Sequence, residues 1–600
     1  MMHAAEIRRI QQMVFGLVHF SYEGDITVQE GEGLCVQADR SRAMITAQSK
    51  PALARAFFRM AQELSSGKDT VHIQESPRFD SCGFFLDFSR NGVMTVEASC
   101  RYMDYCAALG MNLVVLYTED TYTVPEYLQM GYLRGRLTED ELRRLDEYAA
   151  SLGMELVPCI QTLGHMENFL QWRSNQHLKD QVAVLLADEE ETYKFIEAEI
   201  RAVRRCIRGK RLHIGMDEAH GVGLGRYYAK HGPTDRFPLL SRHLDRVVKI
   251  CEKYGFEPMM WSDMFFRLGS KNNEYYDKES CIPQSVIDSL PDVGMVYWDY
   301  YHTDESWYEH MLTEHEKMSG NTIFAGGVWT WSGFLPQVEL TWNSMEPGLR
   351  CCARHQVKTV IATMWGDDGQ ETNQFLALSQ VPIFSEFCWR GDQCDREAVM
   401  ATAEFLTGLP RRAYEAFGLF YPGDEDNRTG KALVYCDLLY PLGPRREELA
   451  DCIDRSRRAL EILAGYREIP ECRYAASLFR VCLKKALVIR EMRPRYLAGD
   501  KEWLAKTARE TIPELLAAYE KLRIRHKRLW ERDYKRNGWE VLALRYGAVE
   551  GRLRDVQDAL ERYVRGELAT LCELDEEPQD PARKSGTQFY NVFVSPVYSL

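Results

Sequence analysis

The stretch RLHIGMDEAHG, residues 211–221, decides how the chain is read. Leu212, His213 and Ile214 suit a short strand; Gly215 breaks it, and two adjacent carboxylates, Asp217 and Glu218, follow. A strand that stops at a glycine and delivers polar side chains is what a parallel strand does as it enters a βα loop. The carboxylate pair has three readings at this point: a catalytic engine, a metal site, or a polar cap on the next helix.

Working outward, the same pattern recurs. Short apolar runs occur at GFFLDF (83–88), NLVVLY (112–117), ELVPCI (155–160), RLHIGM (211–216), FEPMMW (256–261), VGMVYW (293–298), TIFAGGVW (322–329) and KTVIATMW (358–365). Helical stretches such as TVEASCRYMDYCAALG (95–110), TEDELRRLDEYAASLG (138–153) and LSRHLDRVVKICEKYG (240–255) lie between them. Eight strand–helix units predict an α/β fold, a (β/α)₈ TIM barrel over residues 79–390. A doubly wound open sheet is the competing arrangement, but it does not need eight consecutive units. Residues 1–78 read as a small α+β domain, with paired strands in GLCVQADRSRAMITAQS and an amphipathic helix ended by Gly67. Residues 391–600 lose the strand signals and read as a mainly α-helical domain, a candidate surface for forming a homodimer. The closing FYNVFVSPVYSL fits either a strand or an extended tail.

Composition narrows the function classes. A chain of 600 residues exceeds one core. The net charge of −14, with no concentrated basic patch, argues against a nucleic-acid partner. No stretch approaches the roughly 20 apolar residues that span a bilayer, and MMHAAEIRRIQQMVFGLVHF has no signal-peptide core, so neither membrane nor export is expected. The 17 cysteines form no C-x-x-C pair and sit in apolar contexts such as LVPCI. They read as free thiols in a reducing, cytoplasmic setting.

In a barrel the chemistry sits at the C-terminal ends of the strands. Those ends carry Asp87 and Arg90, Glu119 and Asp120, His165, Asp217 and Glu218, Trp261 and Asp263, Trp298 to Tyr301, Trp329 and Trp331, then Trp365, Asp367 and Asp368. Tryptophan at four strand ends, mixed with carboxylates and an arginine, suits a sugar, whose ring has apolar C–H faces and a polar rim. Any one of these tryptophans is as readily barrel core; four at one rim favour a ligand cage. His165 and Asp120 lack metal-ligand spacing and His213 falls inside a strand, so no metal and no cofactor are expected.

These residues resemble glycoside hydrolase family 20, the β-N-acetylhexosaminidases. HIGMDE matches the family's His-x-Gly-x-Asp-Glu motif, and the match extends to GFFLDFSRN, MNLVVLYTED, CIQTLGH and MWGDD. The helical C-terminal domain resembles that of a bacterial, intracellular-type subgroup. The resemblance explains the adjacent acids. Ordinary retaining glycosidases set two carboxyl groups about 5–5.5 Å apart across the bond, one as nucleophile. In this family the substrate's own 2-acetamido oxygen attacks instead, through an oxazolinium intermediate.

What the resemblance implies is an exo-acting, retaining β-N-acetylhexosaminidase releasing terminal β-linked GlcNAc, with GalNAc a second sugar, from a small oligosaccharide or glycan. Glu218 is then the general acid/base, Asp217 orients the acetamide, and His165 and Asp120 form the relay behind the acid. Arg90 and Asp367 bind sugar hydroxyls, and Trp261, Trp298, Trp331 and Trp365 wall the pocket. By the same expectation the Asp217 anion keeps Glu218 protonated near neutral pH. The chain departs from the family in three places. Strand 7 reads VWTWSG without a Trp-Tyr pair, which leaves Tyr300 or Tyr301, Tyr300 preferred, to bind the acetamide carbonyl. Cys82 replaces a common arginine, and Asp367 replaces a more usual glutamate. Alternatives are a hydrolase of a 6-sulfated sugar, a disaccharide-releasing enzyme, and a silent carbohydrate-binding barrel.

Overall fold

Alternation decides the first layer. Leu34, Val36 and Ala38 are buried on one face of a strand whose Cys35, Gln37 and Asp39 face outward. The computed structural model describes residues 2–421, 428–579, 590 and 594–595. In it β1 (Asp25–Glu30), β2 (Leu34–Asp39), β3 (Arg42–Ala47) and β4 (Thr70–Glu75) form a sheet of order β1-β3-β2-β4. β2 and β3 are the expected hairpin, with Leu34 opposite Ala47. Its turn is held by Asp39, whose carboxylate accepts the Ser41 and Arg42 amides at 2.7 and 3.0 Å. Helix α1 (Ala4–Leu17) packs on α2 (Lys50–Ser65), which packs on the sheet. Ser49 caps α2 by accepting the Ala52 amide, and just beyond its end Gly67 takes φ +94°.

The eight expected strands are all present, parallel, and closed into a barrel. They are β5 (Ser81–Asp87), β6 (Leu113–Glu119), β7 (Glu155–Ile160), β10 (Arg211–His213), β11 (Glu257–Trp261), β12 (Gly294–Asp299), β13 (Thr322–Gly327) and β14 (Thr359–Thr363). A small antiparallel ribbon, β8 (Lys179–Gln181) and β9 (Val184–Leu185), decorates the loop after β7. The ring closes where β14 pairs with β5. Helices outside and side chains inside bury both faces of these strands, so β6 and β14 are buried along their whole length. That is why they read as continuous apolar runs and not as alternations.

β10 is only three residues long, and His213 pairs with Cys159 on one side and Met259 on the other. The strand ends because Gly215 takes φ +71°, and a Cβ there would lie 2.1 Å from the Gln161 amide oxygen. Among the described residues no strand follows β14; the chain continues in helices, the longest being Pro470–Leu497, Ile512–Asp533 and Trp539–Arg565. Most of FYNVFVSPVYSL lies outside the described residues. No described helix is long and apolar enough to cross a membrane. All 17 cysteines are unpaired.

One buried cation joins the N-terminal layer to the barrel. Arg55 of α2 is fully buried; its Nε donates to Glu75 of β4 at 2.6 Å and its Nη1 to Glu386 and to the Leu109 carbonyl at 2.9 and 3.2 Å. Removing this guanidinium takes the shorter of two arginine contacts from each buried carboxylate, leaving Glu75 with Arg59 at 3.2 Å and Glu386 with Arg390 at 3.4 Å. Arg55→Met is therefore expected to cost about 3–5 kcal/mol, read as an earlier thermal loss of helical circular dichroism; an unchanged melt would mean the three charges are not coupled.

Candidate active site

The catalytic candidates stand at the mouth because the strands stop there and the backbone bends sharply. Glu119, His165, Met216 and Glu218 all have left-handed backbone, with φ of +45°, +51°, +74° and +48°. Non-glycine residues held this way cost about 1–3 kcal/mol each and persist where the surroundings force them. Here they bring the side chains of Glu119, His165 and Glu218 to one point, while Met216 contributes its backbone amide to Gln161.

That point is the imidazole of His165. Its Nε2 lies 3.3 Å from an oxygen of Asp217 and 3.3 Å from an oxygen of Glu218. Its Nδ1 lies 3.7 Å from Glu119. Asp217 also accepts the Gln161 amide at 2.7 Å; that amide donates to the Tyr117 hydroxyl, which donates to Glu119 at 3.0 Å. The carbonyl oxygen of Gln161 accepts the Met216 amide, so the same side chain holds the backbone that presents the acids. Exposure separates the two carboxylates. Glu218's side chain is 40% exposed and can meet a leaving group, whereas Asp217's is 9% exposed and faces inward.

The electrostatics correct one expectation. Burial opposes charge on His165, yet the Asp217 and Glu218 carboxylates overcome it and hold the imidazole well above its usual range. Burial likewise pushes Asp217 and Glu218 up, and the hydrogen-bonding charge of His165 pulls both below the ordinary carboxylate range. Asp217 does raise Glu218, as expected, but His165 outweighs it, so in the free protein Glu218 is a carboxylate beside an imidazolium.

The relay is corrected too. Asp120, expected behind His165, points instead at Arg134 at 3.4 Å and accepts the Gly131 amide. Glu119 takes its place. The physical reason is a register shift in β6 between Tyr117 and Glu119, which turns the first of the two acids inward and the second away. Burial raises Glu119 to about 7 although Arg90 and His165 oppose it.

Arg90 is brought to the same mouth. It ion-pairs with Glu119, and its Nε lies 3.7 Å from Asp367. Its guanidinium lies over the Tyr117 and Trp365 rings. Asp367, raised to about 6 by burial against the pull of Arg90, feels the charges of Glu218 and His165 as well.

The tryptophans divide into floor and rim. Trp261, Trp329 and Trp331 are at most 2% exposed: Trp261 packs on His213 and Phe85, and Trp331 stacks on Trp329 at 4.5 Å. These three form the floor, so Trp261 and Trp331 are not open walls in this structure. Trp298 is half-buried at the rim, and Trp365 is 9% exposed. Tyr300 stacks on Trp298 at 5.4 Å, and its hydroxyl accepts the Trp365 indole N–H at 2.9 Å. Tyr301 is 44% exposed with its ring against Trp329.

Two further residues join the site: Asp263, placed at a strand end by the sequence but given no role there, and Tyr275, which the sequence did not single out. Asp263 is fully buried and accepts the Glu218 amide at 3.0 Å; burial and the Asp217 charge push it well above the carboxylate range. Tyr275 packs on Trp298, hydrogen-bonds the His220 Nδ1 at 2.7 Å and feels the Glu218 charge. Asp263's place after a strand was the available signal for the first. Tyr275 lies in an irregular loop with no pattern to find it.

Comparison with known proteins now decides the family. The glycosyl hydrolase family 20 catalytic domain matches residues 79–284, and the Glycoside Hydrolase 20C C-terminal domain matches residues 445–591. The chain belongs to glycosyl hydrolase family 20. Similar proteins include Hexosaminidase D of Bos taurus, 26% identical over 234 residues, which are 38% of this chain and 63% of that one. Hexosaminidase D of Homo sapiens is 26% identical over 202 residues, 32% of this chain and 39% of that one. The chain thus aligns with less than two thirds of either relative. Among solved structures, the exo β-N-acetylglucosaminidase of Vibrio harveyi, determined with N-acetylglucosamine, superposes with TM-score 0.51 at 16% identity, covering 69% of this chain and 73% of that one. The Flavobacterium johnsoniae chitobiase superposes with TM-score 0.51 at 14% identity, covering 88% and 93%. At such identities these structures speak for the fold alone. The family 20 catalytic match ends before β12, so Trp298, Tyr300, Trp331, Trp365 and Asp367 join the site on geometry.

The pair of shifts makes a prediction. Replacing His165 by glutamine removes the cation that depresses Glu218, so the Glu218 ionisation moves to higher pH. In the pH dependence of kcat/KM, or by carboxyl NMR, a Glu218 ionisation that rises by about one unit or more is expected; an unmoved one contradicts the coupling.

Proposed function

We propose that this family 20 chain is an exo-acting β-N-acetylhexosaminidase that removes terminal β-linked N-acetylglucosamine, with N-acetylgalactosamine as a second substrate, with retention and by participation of the substrate's acetamide. The observation that carries the reading is that Asp217 and Glu218 approach the same imidazole nitrogen at 3.3 Å. Two carboxylates on one side of a pocket cannot straddle a glycosidic bond as nucleophile and acid. They suit a division of labour in which the sugar supplies the nucleophile. The other carboxylates of the mouth are occupied: Glu119 by Arg90 and Tyr117, Asp367 by Arg90, and Asp263 by the Glu218 amide.

In this reading Asp217, ionised and held by Gln161, accepts the acetamide N–H and stabilises positive charge as the oxazolinium ring closes. Glu218 passes a proton to the leaving oxygen. In the free protein that proton resides on His165, 3.3 Å away, so His165 and Glu218 act as one proton-carrying unit. Sugar binding excludes water and shifts the proton toward Glu218; after the aglycone departs, Glu218 takes a proton from the attacking water. Glu119 fixes the imidazole from its other nitrogen. Arg90 and Asp367 grip ring hydroxyls, Trp298 and Trp365 cover the apolar face, and Tyr300 is the phenol for the acetamide carbonyl. The Asp367 carboxylate at the rim disfavours a 6-sulfated sugar. The unpaired cysteines support a reducing, cytoplasmic setting.

Glu218→Gln should lower kcat on substrates with poor leaving groups by about 10²–10⁴-fold, and Asp217→Asn should lower it by about 10²-fold or more, with each variant still folded by circular dichroism. The companion measurement compares 4-nitrophenyl N-acetyl-β-glucosaminide with the plain β-glucoside. Selective cleavage of the first is expected; equal cleavage of both would remove acetamide participation.

A further inference from the structure

The loop that follows β14 carries Trp365 and Asp367 to the pocket; the Gly369 and Gln370 amides both donate to the Gly366 carbonyl, at 3.2 and 2.7 Å, yet the turn they close is strained. Asp368, Gly369 and Gln370 all have left-handed backbone, with φ of +55°, +105° and +58°. Two of the three are not glycine, so the conformation is costly unless something outside the loop enforces it. On its strand side the loop is tied to the barrel: the Gly366 amide donates to Asp87 at 2.9 Å. On its far side it is tied to the C-terminal helical region.

That second tie is a buried ionic cluster. The Lys431 ammonium, fully buried, lies 2.7 Å from Asp368 and 2.7 Å from Glu371. The Arg545 guanidinium lies 2.8 Å from Asp368 and 2.9 Å from Glu371, and donates to the Asp368 carbonyl as well. The Tyr590 backbone amide adds a third donor to the Asp368 carboxylate, at 2.6 Å. Two cations thus face two carboxylates, and each cation spans both. Asp367 sits between the two anchors, with Gly366 fixed to the barrel and Asp368 fixed to Lys431 and Arg545.

We propose that Lys431 and Arg545 are positioning residues for sugar recognition, acting through Asp368 to hold Asp367 against the ring hydroxyls, so that the C-terminal helical region completes the sugar site. The proposal rests on the hexosaminidase reading for the identity of the ligand, though not for the clamp itself. A clamp of this kind affects binding of the sugar rim more than the proton transfers at Glu218, which lies on the other side of the mouth. Its loss should therefore appear in KM.

The test uses the full chain. Arg545→Met, Arg545→Lys, Asp367→Asn and the Asp367→Asn/Arg545→Met double variant are compared on 4-nitrophenyl N-acetyl-β-glucosaminide. In parallel, hydrogen–deuterium exchange is followed for the peptide spanning residues 364–374. Arg545→Met should raise KM about tenfold with kcat within about threefold, the size expected for a lost charge-assisted contact that does not strengthen in the transition state. Arg545→Lys should recover most of it. In the Asp367→Asn background the second substitution should add little, because both act on one contact. Exchange should speed up in residues 364–374 and not elsewhere in the barrel. Additive losses in the double variant, an unchanged KM, or unchanged exchange would overturn the proposal. If Arg545→Met does not fold, Asp368→Asn, which keeps the shape and removes the charge, takes its place with the same expectations. A wild-type protein that cleaves no N-acetylhexosaminide would overturn the functional reading, and the exchange measurement would still judge the clamp.

Discussion

An imidazolium between two carboxylates is the interaction on which the mouth of this barrel depends. Asp217 and Glu218 are consecutive residues at a strand end, where two negative charges repel and burial raises the cost of each. His165 offsets both at 3.3 Å and keeps them ionised. The left-handed backbone at His165, Met216 and Glu218, and the glycine that ends β10, exist so that one ring can reach two neighbouring acids. Around this triad the remaining charges come in opposed sets: Arg90 with Glu119 and Asp367, then Lys431 and Arg545 with Asp368 and Glu371. The pocket is a chain of compensated charges laid over an aromatic floor.

The same compensation sets the pH response. Asp217 and Glu218 have lowered folded-state ionisations, so the stability they contribute is present above the usual carboxylate range and is lost as pH falls through their depressed values. His165 is raised, so its share is complete below its unfolded value near 6.5 and disappears as pH rises through the raised one. The triad is intact across the neutral window between these limits. Glu119, at about 7, and Asp367, at about 6, titrate inside that window, which makes the two carboxylates around Arg90 more pH-sensitive than the acid pair.

How much of this was legible in the sequence follows from the range of the forces involved. The barrel was, because parallel strands buried on both faces write themselves as apolar runs, and β5 to β14 fall where those runs lie. Asp217, Glu218, His165, Arg90 and Asp367 were, because strand ends are the only places where such side chains can meet. The choice between Glu119 and Asp120 was not, since a one-residue register shift in β6 reverses which of two adjacent acids faces inward. The protonation of Glu218 was misjudged because a single neighbour, Asp217, was weighed without the closer cation. Tyr275 belongs to no periodic element, and Lys431 and Arg545 are separated from Asp368 by 63 and 177 residues, a distance that no local pattern spans.

In the proposed mechanism the two acids share one side of the pocket because the substrate brings its own nucleophile. Fluorinating the N-acetyl group of the 4-nitrophenyl glycoside tests it directly, because each fluorine weakens the amide oxygen as a nucleophile while leaving the leaving group untouched. kcat/KM should fall steeply from the acetyl through the mono-, di- and trifluoroacetyl substrates. A flat series would contradict it and would require a nucleophile from the protein.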